Sequence, residues 1–436
     1  MKKLLLSVLS VLFSVGLYAQ AGHIMQGVGA KNMSMGGAAT GQPIDISGAL
    51  HWNPAAITNF EGSEFKFDIG MFFSSPELRS SVPEFDMSTG QPTGNVISGV
   101  TEDDRGISPM PALAFVWGDD ESRSKFGVSA FGISGFGVTF PESMTNPINA
   151  PQEFGGFGRI ESDYLLFQVS FTWAYQLTEH LSIGIQPNLN YAGLELIPNP
   201  TASPNQSGYP STDAASAFGF GGQVSAFYNS PFGLKAGVSY KTTQSFSEFG
   251  LDNTYPDGSV QENEFKINYP AILSFGLGYS LGNIDLALDY RFVDYENTAG
   301  FDASGWTPAA SVQGFGWDNI NILSAGIQFK GINRLPLRVG YTYSSNPISS
   351  ELAFFNIPAT AIIKNAYQFG LSYEFSDRFV LDAVYHYGDS DGATSGPVLN
   401  PMLISPENPL GAFPGSEVSY DMTTSMIQVG VSYRFN

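Results

Sequence analysis

Four histidines (His23, His51, His180 and His386) are spread along 436 residues, with no metal-ligand spacing between any of them. The chain has no cysteine, which excludes thiolate metal sites, disulfides and a nucleophilic thiol. It contains neither a G-x-S-x-G elbow nor a glycine-rich phosphate loop. A hydrolase would need a Ser–His pair brought to one point, and no such pair can be placed. His180 reads as a solvated turn residue and His386 as a structural one. The expectation is a protein that is not an enzyme and carries neither metal nor cofactor.

The remaining groups suit binding. Phe154 and Phe157 lie in one long polar connection, Trp306, Phe315 and Trp317 bracket another, and Leu352, Phe354 and Phe355 lie in a third. Apolar clusters on exposed connections mark contact with a ligand or partner, unless they pack connection against connection. Arg159, Lys235, Arg291 and Arg338 are the cations that could meet the carboxylate of an amphiphilic ligand. With 40 acidic residues against 19 basic ones, each also has carboxylates to pair with. A net charge of −21 argues against nucleic-acid binding, which needs a basic patch. An acidic interior would also disfavour anionic ligands, which leaves neutral hydrophobes open.

These groups must be held by the elements around them. Residues 1–19 have the layout of a secretory signal: Lys2 and Lys3, an apolar run from Leu4 to Leu17, then small residues to Ala19. No later apolar run approaches the roughly 20 residues of a membrane helix, so an exported chain in a membrane must span it as a closed barrel.

Most of the remaining chain alternates with period two. Ile427, Val429, Val431, Tyr433 and Phe435 alternate with Gln428, Gly430, Ser432 and Arg434. The same pattern runs through Leu165–Tyr175, Ile284–Phe292, Leu335–Tyr343 and Tyr367–Phe375. One parity is apolar and faces lipid; the other is small or polar and faces a lumen, into which Lys235, Arg291, Arg338 and His386 then point. Segments of this kind begin near Glu64, Met110, Lys125, Asp163, Leu181, Ala215, Gly233, Lys266, Asn283, Trp317, Leu335, Asn365, Arg378 and Asp421. Short connections such as Thr178–His180 and Leu281–Asn283 alternate with long ones such as Ser74–Pro109, Ser247–Phe265 and Asp389–Tyr420. Short turns on one rim and long loops on the other imply an all-β fold over residues 62–436, a 14-stranded antiparallel transmembrane barrel. A soluble sandwich has no such strict alternation.

A wall of that size leaves a lumen too wide for its own side chains to fill. Residues 20–61 supply a filler. Within them, Gly27–Thr58 is rich in small residues and lacks alternation, and reads as a plug. Asn53 can cap a helix with Pro54 at its first position, and Asp45 or Ser47 can cap a preceding turn. Gly36 and Gly37 can serve as hinges.

Taken in order, these features resemble the FadL/TodX (OMPP1) family of outer-membrane transporters. The resemblance rests on the leader, on MSMGGA at Met33–Ala38, and on HWNPAAIT at His51–Thr58. The last matches the family's Asn-Pro-Ala hatch motif at Asn53, Pro54 and Ala55. The strand and loop pattern then follows. The resemblance implies passive uptake of long-chain fatty acids or other hydrophobic molecules across a Gram-negative outer membrane. Loops capture the ligand, a hatch gates the lumen, and the ligand leaves sideways at a kink in the third strand. That strand, Lys125–Phe140, is interrupted by Gly132, Gly135 and Gly137, a residue type that marks bends and bulges inside strands. The implied partners are outer-membrane lipid and lipopolysaccharide, the barrel-assembly machinery and a hydrophobic small molecule, with the protein a monomer. Some proteins of this fold instead act as structural or shuttle components of protein secretion, their loops binding a protein partner.

Overall fold

A computed structural model describes residues 22–86 and 88–435. The leader at 1–19 lies outside the described residues. Fourteen strands form one antiparallel wall: β1 (Ser63–Phe85), β2 (Ile107–Trp117), β3 (Ser124–Phe140), β4 (Ile160–Gln176), β5 (Leu181–Ile197), β6 (Ala215–Asn229), β7 (Leu234–Lys241), β8 (Ala271–Leu281), β9 (Ile284–Asp294), β10 (Ile320–Phe329), β11 (Leu337–Ser344), β12 (Asn365–Glu374), β13 (Phe379–Asp389) and β14 (Glu417–Phe435). Each pairs with the next, and β1 closes the wall on β14, with Ser63 opposite Phe435 and Ser81 opposite Glu417. Alternation sets the two faces. Ile427 and Val429 are 49% and 45% exposed on the outside, whereas Gln428 between them is 3% exposed inside. An apolar belt on a polar-lined wall is the surface a bilayer requires.

The long connections are more ordered than expected. Ser74–Pro109 is not a plain loop. β1 runs on to Phe85 and pairs with Pro92–Glu102, while its other edge stays on β14 as far as Ser81. Alternation fades there because the strand has left the bilayer and has no lipid face to present. Ser247–Phe265 likewise contains a hairpin of Phe249–Thr254 with Val260–Phe265.

The plug fills the lumen. It holds α1 (Ala30–Ser34), α2 (Ile46–Trp52) and a 3₁₀ turn at Pro54–Asn59, and every residue of the two helices is buried. Asp45 caps α2, accepting from the Gly48 N–H at 3.0 Å. Asn53 does not cap the 3₁₀ turn that Pro54 opens. Its amide instead donates to Thr40 O (2.7 Å) and Ala226 O (3.2 Å), fastening the plug to β6, because a wall carbonyl lies within reach. Ala55 N donates to Ser225 Oγ at 2.8 Å. On β9, Asp289 accepts from the N–H groups of Ala39 and Thr40, both at 2.8 Å. Several wall glycines mark where plug backbone seats. A Cβ at Gly340 would strike the backbone of Gly36, one at Gly276 that of Gly41, and one at Gly184 that of Ala55. Glycine allows this close approach. Gly36 and Gly37 have positive φ (67° and 74°), so they bend the plug where it meets β10 and β11.

Candidate functional site

The wall is interrupted at β3. Its pairing with β4 shifts register between Gly132 and Ser134, leaving Ile133 as the extra residue of a bulge. Phe131, Ile133 and Ser134 are all buried, so alternation breaks at this point. A bulge bends its strand, and β3 pairs with β2 only from Phe126 to Phe131. The rest of β2, Ile107–Pro111, pairs with β1 alone. Pro109 and Pro111 lie in that stretch. Proline cannot donate to a ladder and is tolerated where a strand has a free edge.

The N-terminal segment takes the vacated partner position on β3. Met25 N donates to Ile133 O at 3.0 Å, Gly135 N to His23 O at 3.2 Å, and Ser134 Oγ to His23 O at 3.0 Å. His23 anchors this segment in an aromatic cage of Phe136, Tyr164, Tyr269, Tyr295, Phe301 and Trp317, with ring centres 4.9–6.4 Å away. Its Nδ1 lies 2.8 Å from Tyr295 Oη. Burial pushes the imidazole pKa down to about 3, so the anchor is uncharged.

Between the segment and the separated strands lies a cavity of about 420 Å³. Its lumenal lining includes Met33, His386 and Met426, and its outer lining includes Ile107 and Leu165. The last two are 57% and 48% exposed on the outer face, so the cavity's lining includes residues of both faces of the wall. Five thioethers (Met25, Met33, Met110, Met422 and Met426) contribute to it, side chains that adapt to irregular apolar shapes. Arg105 stands at its edge, with Nη2 2.9 Å from Asp163 and Nη1 donating to Ser162 O at 2.8 Å.

A second concavity, about 50 Å³, lies among the outer loops. Phe157, Trp306, Phe354 and Phe355 line it, with Phe157–Phe354 ring centres 5.7 Å apart and Trp306–Phe355 5.0 Å. Sequence distance hid this convergence. Phe315 lines an adjoining crevice with Phe355, and Trp317 belongs to the His23 cage, its Nε1 donating to Asn356 Oδ1 at 2.6 Å. Phe154 remains 65% exposed and joins neither cluster.

The cations singled out from sequence lie elsewhere. Arg159 pairs with Glu161 at 2.6 Å. Arg291 is held by Asp289 (2.8 Å) and Gly37 O (2.7 Å) against the plug, and Arg338 by Gln328 and Ser372, each at 2.7 Å. None of these three lines the cavity. Of the three glycines in β3, Gly132 sits at the bulge. Gly135 lets the Tyr164 carbonyl approach, and Gly137 makes room for Arg105, which would collide with a Cβ there. Sequence reasoning missed His23, Arg105 and the two β2 prolines. Only the prolines carried a local signal, as non-donors inside an alternating strand.

Comparison with known proteins identifies the family and the fold. The family model described as outer membrane protein transport protein (OMPP1/FadL/TodX) matches residues 13–435. The fold is similar to that of the Pseudomonas putida toluene transporter TodX, with a TM-score of 0.67 and 17% identity over 94% of this chain and 99% of that one. A Pseudomonas aeruginosa FadL homologue gives a TM-score of 0.69 at 12% identity over 95% and 100%. The Ralstonia pickettii toluene transporter TbuX gives 0.64 at 17% identity over 94% and 99%. No curated protein sequence matches. A closed 14-stranded barrel with an apolar belt, a filled lumen and a family match over nearly its whole length belongs to the OMPP1/FadL/TodX family of outer-membrane transport proteins.

Proposed function

We propose that this protein takes up hydrophobic molecules passively and delivers them sideways into the outer membrane. The loop concavity around Phe354 and Phe355 captures the ligand, the cavity beside β3 receives it, and the gap between β2 and β3 releases it. The observation that carries this reading is a single cavity lined by residues of both faces of the wall where β2 and β3 part. A ligand on that path never has to cross the plug or a charged lumen.

The plug's seat favours a fixed barrier over a moving hatch. Wall groups satisfy backbone donors at Ala39, Thr40 and Ala55, and glycine backbones meet at Gly36 and Gly340. Lifting the plug would strand those buried groups, each at a cost of about 1–3 kcal/mol. Joining it to the wall by Ala55→Cys with Ser225→Cys is therefore expected to leave uptake of a fluorescent hydrophobe into liposomes unchanged under oxidising conditions. Uptake that disappears on oxidation and returns with reductant would identify the plug as the gate.

The capture step has its own test. Phe354→Ala with Phe355→Ala removes two rings from the loop concavity. Apparent affinity for a hydrophobic probe should weaken about tenfold, with the maximal uptake rate retained. An unchanged concentration dependence would remove these loops from the path.

A further inference from the structure

Lys241, at the end of β7, is an outlier among the buried charges. It is 2% exposed, and among the described residues its ammonium makes only one hydrogen bond, a long approach of 3.5 Å to Gln168 Oε1. No carboxylate among the described residues pairs with it. A buried, unpaired ammonium either sheds its proton or takes a counter-ion, and this one has a second cation for company. Its Nζ lies 5.9 Å from the ring centres of both Trp52 and Tyr269, and the Arg291 guanidinium stacks on the same Trp52 ring at 3.7 Å. The carboxylate that serves Arg291, Asp289, is already engaged with the N–H groups of Ala39, Thr40 and Gly41.

The surroundings hold a surplus of donors. Arg291 Nε, Trp52 Nε1, Tyr269 Oη and both ring nitrogens of His51 are buried without a partner. The His51 ring lies 4.3 Å from the Trp52 ring. Burial, with Lys241 and Arg291 nearby, holds His51 well below the ordinary imidazole range, so its ring is neutral and offers one N–H. Two orphaned acceptors, Asn53 Oδ1 and Gln223 Oε1, are close by: Asn53 follows Trp52, and Gln223 sits opposite Lys241 and donates to Trp52 O. Water can serve those two, but only an anion lets Lys241 keep its proton beside Arg291. Buried polar groups are almost always partnered, and unpartnered donors around excess positive charge recognise an anion.

We propose that Lys241, Arg291, Trp52 and His51 form an enclosed site for a small monovalent anion of the halide class, held between the plug and strands β7 and β9. Enclosure sets the size. His51, Arg291 and Lys241 are 0%, 1% and 2% exposed, and the 420 Å³ cavity does not reach them. The head of an amphiphile would have to bring its chain along. The ion enters when the plug seats and neutralises the charge that Asp289 leaves unmet.

Bromide tests the site. Protein refolded and crystallised with bromide as the only halide should show anomalous density beside the Lys241 ammonium and the Trp52 indole. The folded barrel should also survive to a temperature about 2 °C or more higher in bromide than in gluconate of equal ionic strength. Lys241→Met should abolish both effects. If that variant does not fold, Lys241→Arg keeps the charge and should retain bromide. Several results would overturn the proposal: wild-type protein with no bromide at this position, bromide bound on the outer surface only, or equal melting in the two salts. Stabilisation by decanoate but not by bromide would hand the site to an amphiphile's head and end the small-ion assignment.

Discussion

Replacing Lys66 with methionine is expected to cost ~3–5 kcal/mol of barrel stability, the range for removing one partner from a buried ionic cluster. Lys66 projects from β1 into the lumen and is 0% exposed. Its ammonium lies 2.6 Å from Asp382 on β13, 3.4 Å from Asp68 on β1 and 3.7 Å from Asp45, the residue that caps α2. Lys31 of α1 adds a second contact to Asp382 at 3.7 Å, and Asp68 also accepts from Ala30 N at 2.8 Å. The cluster therefore joins both plug helices to β1 and β13, the strands on either side of β14. Without Lys66, three carboxylates face one lysine in a site without water contact. The urea midpoint of the refolded protein should fall accordingly, and cells should become more sensitive to a large hydrophilic antibiotic as the plug loosens. Removing Asp382 as well (Lys66→Met with Asp382→Leu) restores the cluster's original net charge. The double variant should then lose less than the two single losses combined, as expected of coupled neighbours. A single variant with wild-type midpoint and permeability would show that the plug is held by packing and backbone hydrogen bonds alone.

Deleting Ile133 should reduce uptake about tenfold or more while the barrel still assembles. Ile133 is the extra residue in the β3–β4 ladder: Gly132 pairs with Phe167, and Ser134 pairs with the next residue of β4, Leu166. Without it, every other β4 pairing can remain and the inward–outward alternation of β3 becomes continuous. The strand loses the reason for its bend, and the gap beside Ile107–Pro111 narrows. Transfer of a hydrophobic fluorophore into liposomes measures the effect. Outer-membrane yield and heat-dependent mobility on gels report whether the barrel has formed. Wild-type uptake through a correctly formed, bulge-free barrel would exclude the exit between β2 and β3.

The two variants probe parts of the molecule that differ in how legible they are from sequence. The wall could be read almost completely. Ile427 to Phe435 declares its lipid face by alternation, because successive side chains of a strand point to opposite sides. A lumen-facing position such as Arg291 follows from the same count. Gly27–Thr58 stood out as filler by composition, and Asp45 as a cap by residue type. These are local properties, carried by a few neighbouring residues.

The site was not legible in this way. The His23 cage joins residues as far apart in sequence as His23 and Trp317, and no periodicity connects His23 with Tyr295. The loop aromatics were visible singly, but nothing local brings Phe157 against Phe354. The glycines of β3 lie in the strand that carries a bulge, but they do not explain it: Gly137 makes room for Arg105, whereas the register shift leaves out Ile133, a strand residue with no local signal. Sequence alone determined the barrel and its faces, and marked an N-terminal segment that is not part of the wall, because each follows from strand geometry and local composition. The tertiary structure decided where the β2–β3 ladder breaks, what anchors the N-terminal segment there and which buried cations lack a carboxylate, because those depend on which distant strands and loops share space once the barrel has closed.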